Sequence, residues 1–193
     1  MATYARFATL PGISGAISGV MMFAAVFGLS LATSTSAMAE DCQVSLEQPW
    51  LNDFVASAYV SGECDAATID LVVHNSVDEV VWSTSYEAGD LFGFDDIVDV
   101  DSMRMAMGDW LGDYADSSTS GRLPEWPKGT DMPDAGEFPF YVEDGISQSD
   151  YEQLRAADYP MICYIQGRES TLCLVKQPGI NALTSVGAQS FPG

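Results

Sequence analysis

Residues 161–176 read MICYIQGRESTLCLVK, two apolar runs joined by the tripeptide Gly-Arg-Glu at 167–169. Both runs are rich in β-branched, aromatic and other apolar residues, and a glycine-containing turn between two such runs predicts a β-hairpin. With the turn centred on Arg168, Cys163 and Cys173 lie opposite each other, so a disulfide would link the two strands. This stretch therefore predicts an antiparallel sheet that includes the carboxyl-terminal part of the chain.

A second hairpin is predicted in the first half of the chain. Apolar and polar residues alternate along 68–74, and the strand pattern resumes along 80–86 after a turn rich in asparagine, serine and aspartate. Shorter stretches with strand character cover 42–46 and 54–60, while the tripeptide 49–51 also fits the start of a short helix. These patterns add strands to the same antiparallel sheet.

The hydrophobic period changes to three or four residues after Asp95, which is typical of an amphipathic helix. We expect this helix to begin at Asp96 or Asp101 and to end near Ala115. A capping-box pattern at 149–152 predicts a second, shorter helix. The sequence therefore predicts an α+β fold: an antiparallel sheet with one longer and one short helix, stapled by two local disulfides.

The cysteines favour disulfides over metal binding. The chain has four cysteines, an even number: Cys42, Cys64, Cys163 and Cys173. None of them forms a Cys-x-x-Cys pair with another. Three connectivities are possible, and we favour the two local ones, 42 with 64 and 163 with 173, because each joins segments expected to be neighbouring strands. Disulfides persist in oxidising compartments, so the pattern indicates a protein outside the cytoplasm.

The amino-terminal segment 1–39 has the features of a cleaved secretory signal peptide. Arg6 is its one charged residue, an apolar run covers 13–32, and the Ala-Met-Ala tripeptide at 37–39 fits a signal-peptidase site. Retention of the run as a membrane anchor is the alternative, and the glycines and serines that interrupt it argue against that. We expect an exported protein, periplasmic or extracellular and free of the membrane after cleavage, with a single acidic globular domain over 40–193.

Acidic residues dominate the charge of the chain. It has 28 Asp and Glu against 7 Lys and Arg, a formal net charge of −21 and a sequence pI of about 4.1. Such a charge repels nucleic acid and anionic membrane surfaces and attracts cationic proteins, although it also serves plain solubility. We therefore exclude nucleic acid as a partner and expect a cationic one.

A Pro/Gly-rich segment, 117–139, is predicted to form a long irregular loop, since it contains four prolines and three glycines. Long loops inside compact domains are commonly functional. Trp126, next to Glu125, is typical of an anchor residue in a protein interface, so we predict partner binding by this pair. The alternative is that Trp126 covers the protein's own core. The last residues, 177–193, are predicted to be a partly ordered tail.

Catalytic and metal-binding patterns are weak. The chain has one histidine, His74, and no Gly-x-Ser-x-Gly motif, which argues against nucleophilic hydrolysis. A crowded set of carboxylates suits calcium, although its spacing does not match an EF-hand and a solvated helix start would also explain it. These candidate ligands are Asp90, Asp95, Asp96, Asp99 and Asp101.

Three functional hypotheses follow. The leading one is an exported, acidic, non-enzymatic interaction protein for a cationic protein or envelope component. The first alternative is a calcium-stabilised structural domain, with calcium as the one cofactor considered. The second alternative is an envelope hydrolase that uses two carboxylates, which would require a cleft with converging acids.

Overall fold

Nine strands and two α-helices make up residues 41–191, the part of the chain that this computed structural model describes. The strands form two antiparallel sheets of four and five strands, which confirms the α+β class. We expected one sheet. The strands divide instead between two, the four before the longer helix forming one sheet and the five after it forming the other. The predicted signal peptide, 1–39, lies outside the described residues.

The first sheet is a meander in which each strand pairs with the next along the chain. Its strands are β1 (Ser45–Trp50), β2 (Phe54–Ser61), β3 (Thr68–Asn75) and β4 (Val80–Glu87). The predicted hairpin over 68–86 is confirmed as β3 and β4. The alternative of a helix start at 49–51 is wrong, because Trp50 pairs with Phe54 as the last residue of β1 and buries its side chain.

The second sheet is built on the 161–176 hairpin. Its strands are β5 (Ala115–Thr119), β6 (Phe140–Val142), β7 (Pro160–Ile165), β8 (Ser170–Lys176) and β9 (Leu183–Ser190), in the spatial order β5, β7, β8, β9, β6. The hairpin is confirmed, with Cys163 opposite Cys173 and bonded to it. The prediction of a partly ordered tail is wrong, because β9 pairs with β8 and buries Leu183 and Val186.

The Pro/Gly-rich segment is irregular over only part of its length. Residues 117–119 belong to β5, where they pair with β7, and residues 120–122 form a 3₁₀ turn. The buried Ser120 hydroxyl donates a hydrogen bond to the Leu154 carbonyl oxygen and accepts one from the Tyr159 amide. Edge pairing therefore overrides the weak strand preference of this serine-rich stretch.

The two helices begin at side-chain caps. The longer helix, α1 (Val100–Leu111), starts after Asp99, whose carboxylate accepts a hydrogen bond from the Ser102 amide at 2.8 Å. It is shorter than predicted at its carboxyl end. The shorter helix, α2 (Gln148–Ala157), has Ser147 as its cap, so the predicted capping box at 149–152 was placed two residues late.

An aromatic cluster joins α1 to both sheets. Tyr164 of β7 contacts Trp50 of β1 and Trp110 of α1, with ring centroids 5.2 and 6.3 Å apart. The Tyr164 hydroxyl accepts a hydrogen bond from Trp82 Nε1 at 3.1 Å and lies 2.9 Å from the Tyr86 hydroxyl. These bonds satisfy the polar ends of the rings, so the cluster can be buried without an unpaired donor.

A second, smaller core lies on the opposite face of the second sheet. There α2 and the segment after β5 cover one end of the sheet, and the fully buried ring of Tyr151 packs against Phe140 of β6 with centroids 6.1 Å apart. Leu123, Met161 and Val186 complete this core. The second sheet is thus covered on both faces at this end, and the candidate site is formed there.

Burial predicts that the protein loses stability at high pH. Burial raises the pKa of Tyr164 and of Tyr86 above the ordinary value of 10. Above about pH 10 the unfolded chain releases these protons while the native state retains them, so the free energy of unfolding falls as pH rises. For Tyr164 we expect about 1 kcal/mol per pH unit. Urea unfolding at about pH 8 and pH 11 would measure the slope.

The control for this prediction is a matched pair of substitutions. Tyr164→Phe should remove part of the alkaline loss, whereas Tyr141→Phe, at a residue 54% exposed, should leave it unchanged. Equal slopes for the wild type and Tyr164→Phe would contradict the prediction.

The two disulfides indicate an oxidising, non-cytoplasmic compartment. Cys42 bonds to Cys64 and Cys163 to Cys173, so the favoured local connectivity is confirmed. Neither α1 nor α2, the α-helices of the described region, is long and apolar enough to cross a membrane.

Candidate functional site

Helix α2 fixes the backbone of the segment 123–127 through its side chains. The Tyr151 hydroxyl donates to the Pro124 carbonyl oxygen at 2.8 Å, and Arg155 Nε donates to the Leu123 carbonyl oxygen at 2.9 Å. Burial raises the pKa of Tyr151, so this phenol keeps its proton and remains a donor. The loop is therefore held by an ordered element.

Trp126 has the largest number of these contacts. Its amide donates to Glu152 Oε1 at 2.8 Å, and its carbonyl oxygen accepts a bond from Gln148 Nε2 at 2.9 Å. Its indole Nε1 donates to the Thr130 carbonyl oxygen at 3.0 Å, and the ring lies edge-on to Tyr151 with centroids 5.6 Å apart. The indole covers the second core, and the part that remains exposed lines the surface described next.

An acidic cleft of about 270 Å³ lies between Trp126 and the edge strand β6. We define it by three large side chains and three carboxylates: Trp126, Met132, Tyr141, Asp131, Glu143 and Asp144. Met132 is 45% exposed and Tyr141 54% exposed, so both present apolar surface to solvent. Lys and Arg do not occur among the described residues that line this cleft.

The electrostatics of the acidic cleft suit a cation with an apolar stem. The carboxylate of Glu143 is held by the Ser185 hydroxyl, which donates to its Oε2 at 2.6 Å. Asp131 and Asp144 are exposed. An arginine or lysine side chain could lay its methylene groups against the aromatic rings while its charged end reaches the carboxylates.

The opposite side of Trp126 has a different character. There Trp126 borders a shallow depression with Lys128, Gln148 and Glu152. The lysine of this loop thus belongs to the side that faces α2. The acidic cleft, on the β6 side, is the surface that favours a cation.

The two residues predicted to bind a partner, Trp126 and Glu125, do not line the same surface. Trp126 lines the acidic cleft, while Glu125 does not. The carbonyl oxygen of Glu125 accepts a hydrogen bond from the Asp134 amide at 2.7 Å, and its side chain is exposed elsewhere. Partner binding by Trp126 and Glu125 stays a prediction.

Three of the five aspartates predicted to bind calcium have separate partners within the protein. Asp95 pairs with Arg168 at 3.0 Å, Asp99 caps α1, and Asp101 pairs with Arg104 at 3.3 Å. Asp90 and Asp96 are exposed. Within residues 41–191, no group of three or more His, Cys, Asp or Glu side chains is arranged to hold a metal ion. Calcium stabilisation stays a prediction.

His74 lies on the outer face of the first sheet. Its cross-strand partners are Val55 on β2 and Val80 on β4, both apolar. The residues directly opposite His74 therefore supply neither a hydroxyl nucleophile nor an orienting carboxylate.

No protein family, curated protein or solved structure matches this chain. Function is therefore inferred from the chain's own residues. Sequence reasoning singled out Trp126 but missed Met132, Tyr141 and the three carboxylates of the acidic cleft. The dense aromatic content of 138–141 was a signal for part of it.

Proposed function

We propose that this protein is an exported, acidic binding domain that recognises a basic segment of a cationic protein or envelope component, in the periplasm or outside the cell. The observation that supports the proposal is the acidic cleft, where three carboxylates surround a wall of large apolar side chains. The net charge of −21 adds a long-range field that draws a cationic partner towards the surface.

Preorganisation strengthens this proposal. Because α2 side chains fix Trp126 and its backbone, the aromatic wall needs little ordering when a partner arrives. Ordering a loop on binding reduces affinity, so a surface that is already ordered keeps more of its interaction energy. One edge of the indole ring packs against Tyr151, and its N–H donates a hydrogen bond to the Thr130 carbonyl oxygen. The remaining surface of the ring is available for apolar contact with a partner.

Arginine suits the acidic cleft better than lysine. A guanidinium is planar, stacks on aromatic rings and can donate hydrogen bonds to two carboxylates through separate N–H groups. Tyr141 and Trp126 offer rings, while Asp131, Glu143 and Asp144 offer carboxylates from two segments of the chain. We therefore expect arginine-rich segments to bind more tightly than lysine-rich ones of equal charge.

The test is binding of lysozyme, used as a cationic probe, to the wild type and to Asp131→Asn/Asp144→Asn. We expect the double substitution to weaken binding about tenfold at low salt, because each exposed carboxylate contributes up to about 1 kcal/mol. Titration calorimetry at two salt concentrations measures both the affinity and its dependence on ionic strength.

A matched control separates the acidic cleft from the overall charge. Asp65→Asn/Asp78→Asn removes the same charge from exposed turns of the first sheet, which lies across the second sheet from the cleft. We expect less than about a twofold effect. Absence of lysozyme binding at low salt would contradict the proposed function, and equal losses for both double variants would contradict the assignment to this cleft.

A further inference from the structure

A second concave surface lies on the outer face of the second sheet, beside the Cys163–Cys173 disulfide. This disulfide groove has a volume of about 350 Å³, within the range of small-molecule sites. Its floor is formed by the disulfide, Met161 and Leu123, and its rim by Asp113, Asp116 and Arg122. Nothing in the sequence singled these rim residues out.

The groove exists because small residues occupy one row of the sheet. Asp116 on β5 pairs with Cys163, Cys163 with Cys173, and Cys173 with Gly187 on β9. The half-cystines leave space above the sheet, while the Phe140 ring fills the position above Gly187 and forms one wall of the groove. Since the core under α2 is centred on Tyr151, this part of the sheet face remains open.

The charges on the rim are of both signs and have no internal partner. Asp113, Asp116 and Arg122 are exposed, and in the described part of the chain none of their side chains forms a hydrogen bond or ion pair. By contrast, Arg155 and Arg168 each pair with a nearby carboxylate. An unpaired guanidinium and two unpaired carboxylates therefore line the same groove, in a chain of net charge −21. Such a groove can bind a ligand that carries both a negative and a positive charge.

We propose that the disulfide groove binds a small zwitterion with an apolar side chain, an α-amino acid or a short peptide. The ligand carboxylate pairs with Arg122, and the ligand ammonium pairs with Asp113 or Asp116. The apolar side chain lies on Leu123, Met161 and the disulfide. A purely cationic ligand would face Arg122 and a purely anionic one the two aspartates, so charge complementarity selects a ligand that carries both.

This site is distinct in chemistry from the acidic cleft, although the two are neighbours. Phe140 lines both, with the disulfide groove on one side of it and the acidic cleft on the other. The groove contains a guanidinium, whereas the cleft lining contains three carboxylates. The two surfaces therefore select different ligands and can be tested separately.

The experiment uses leucine and leucyl-leucine as probes at millimolar concentration, followed by backbone amide chemical shifts. We expect both to shift the amides of Thr171 and Gln189, which line the groove. N-acetyl-leucine lacks the ammonium and leucinamide lacks the carboxylate, so each should bind at least about tenfold more weakly. The tighter of the two zwitterions identifies free amino acid or peptide as the source.

Substitutions then assign the charges. Arg122→Gln and the double substitution Asp113→Asn/Asp116→Asn should each weaken leucine binding about tenfold, because each removes the group that pairs with one charge of the ligand. Asp144→Asn, in the acidic cleft, should leave leucine binding within about twofold. No amide shift with either zwitterion, equal binding of leucinamide, or an unchanged affinity of Arg122→Gln would overturn this proposal. None of these results bears on lysozyme binding, so the two proposals fail independently.

Discussion

Replacing Trp110 with alanine is expected to lower the free energy of unfolding by about 4 kcal/mol. The Trp110 side chain is fully buried, and its ring contacts Tyr86, Phe94 and Tyr164 with centroids between 5.8 and 6.3 Å away. Its Nε1 donates to the Ile165 carbonyl oxygen at 2.8 Å, which ties α1 to β7. Truncation opens a cavity between the two sheets and leaves that carbonyl without its donor.

Two further variants separate these causes. Trp110→Phe keeps most of the ring volume and loses the hydrogen bond, so we expect about half the effect. Met105→Ala lies on the same helix at a side chain 67% exposed and should change stability by less than about 0.5 kcal/mol. Urea unfolding followed by circular dichroism measures all three. A loss below about 1 kcal/mol for Trp110→Ala would show that α1 is not held in this position.

Replacing Gly187 with alanine is expected to cost about 3 kcal/mol. A Cβ at this position would lie 2.6 Å from Phe140 Cε1 and would also meet the backbone oxygen of Tyr141. That oxygen belongs to β6, which pairs with β9 through Gly187 itself. The added methyl group must therefore push the edge strand away from the sheet.

We expect Gly187→Ala to disturb β6 and the acidic cleft more than it lowers the stability of the whole protein. Because Tyr141 and Val142 also line the acidic cleft, displacement of β6 should weaken lysozyme binding even at temperatures where the chain stays folded. Amide exchange should speed up in β6 before it does in β3. Gly108→Ala is the control, since a Cβ there meets nothing within 4 Å and the helix gains up to about 1 kcal/mol. A Gly187→Ala protein as stable as the wild type would contradict the packing described for this strand.

The elements that could be predicted from sequence are those decided by neighbouring residues. The 161–176 hairpin has its turn, its two apolar runs and its cysteines within one short stretch, so the register follows from the turn. Likewise the 68–86 hairpin and the stripe on α1 depend on residues close in sequence.

The elements that were missed depend on distant partners. β9 has a polar, glycine-containing sequence, and it becomes a strand because β8 offers it an edge. β6 is three residues long and exists only through its pairing with β9. The division into two sheets likewise depends on packing between segments that are far apart in the chain.

The candidate site could likewise be predicted only in part, because some of its residues come together from distant segments. Trp126 stands out in a proline-rich segment, so sequence reasoning could single it out. The carboxylates of the acidic cleft come from two segments, near residue 131 and near residues 143–144, that meet through the position of β6. With 28 acidic residues in the chain, spacing alone could not select these three.

The disulfides also bear on how the chain acquires its structure. The bonded cysteines are 22 and 10 residues apart: the first bond joins segments that flank β1 and β2, and the second links β7 to β8. For a chain exported from its amino-terminal end, as proposed above, the first cysteine pair would be complete before the second reaches an oxidant. Each thiol therefore meets its native partner first, and we expect oxidative maturation without the help of a disulfide isomerase.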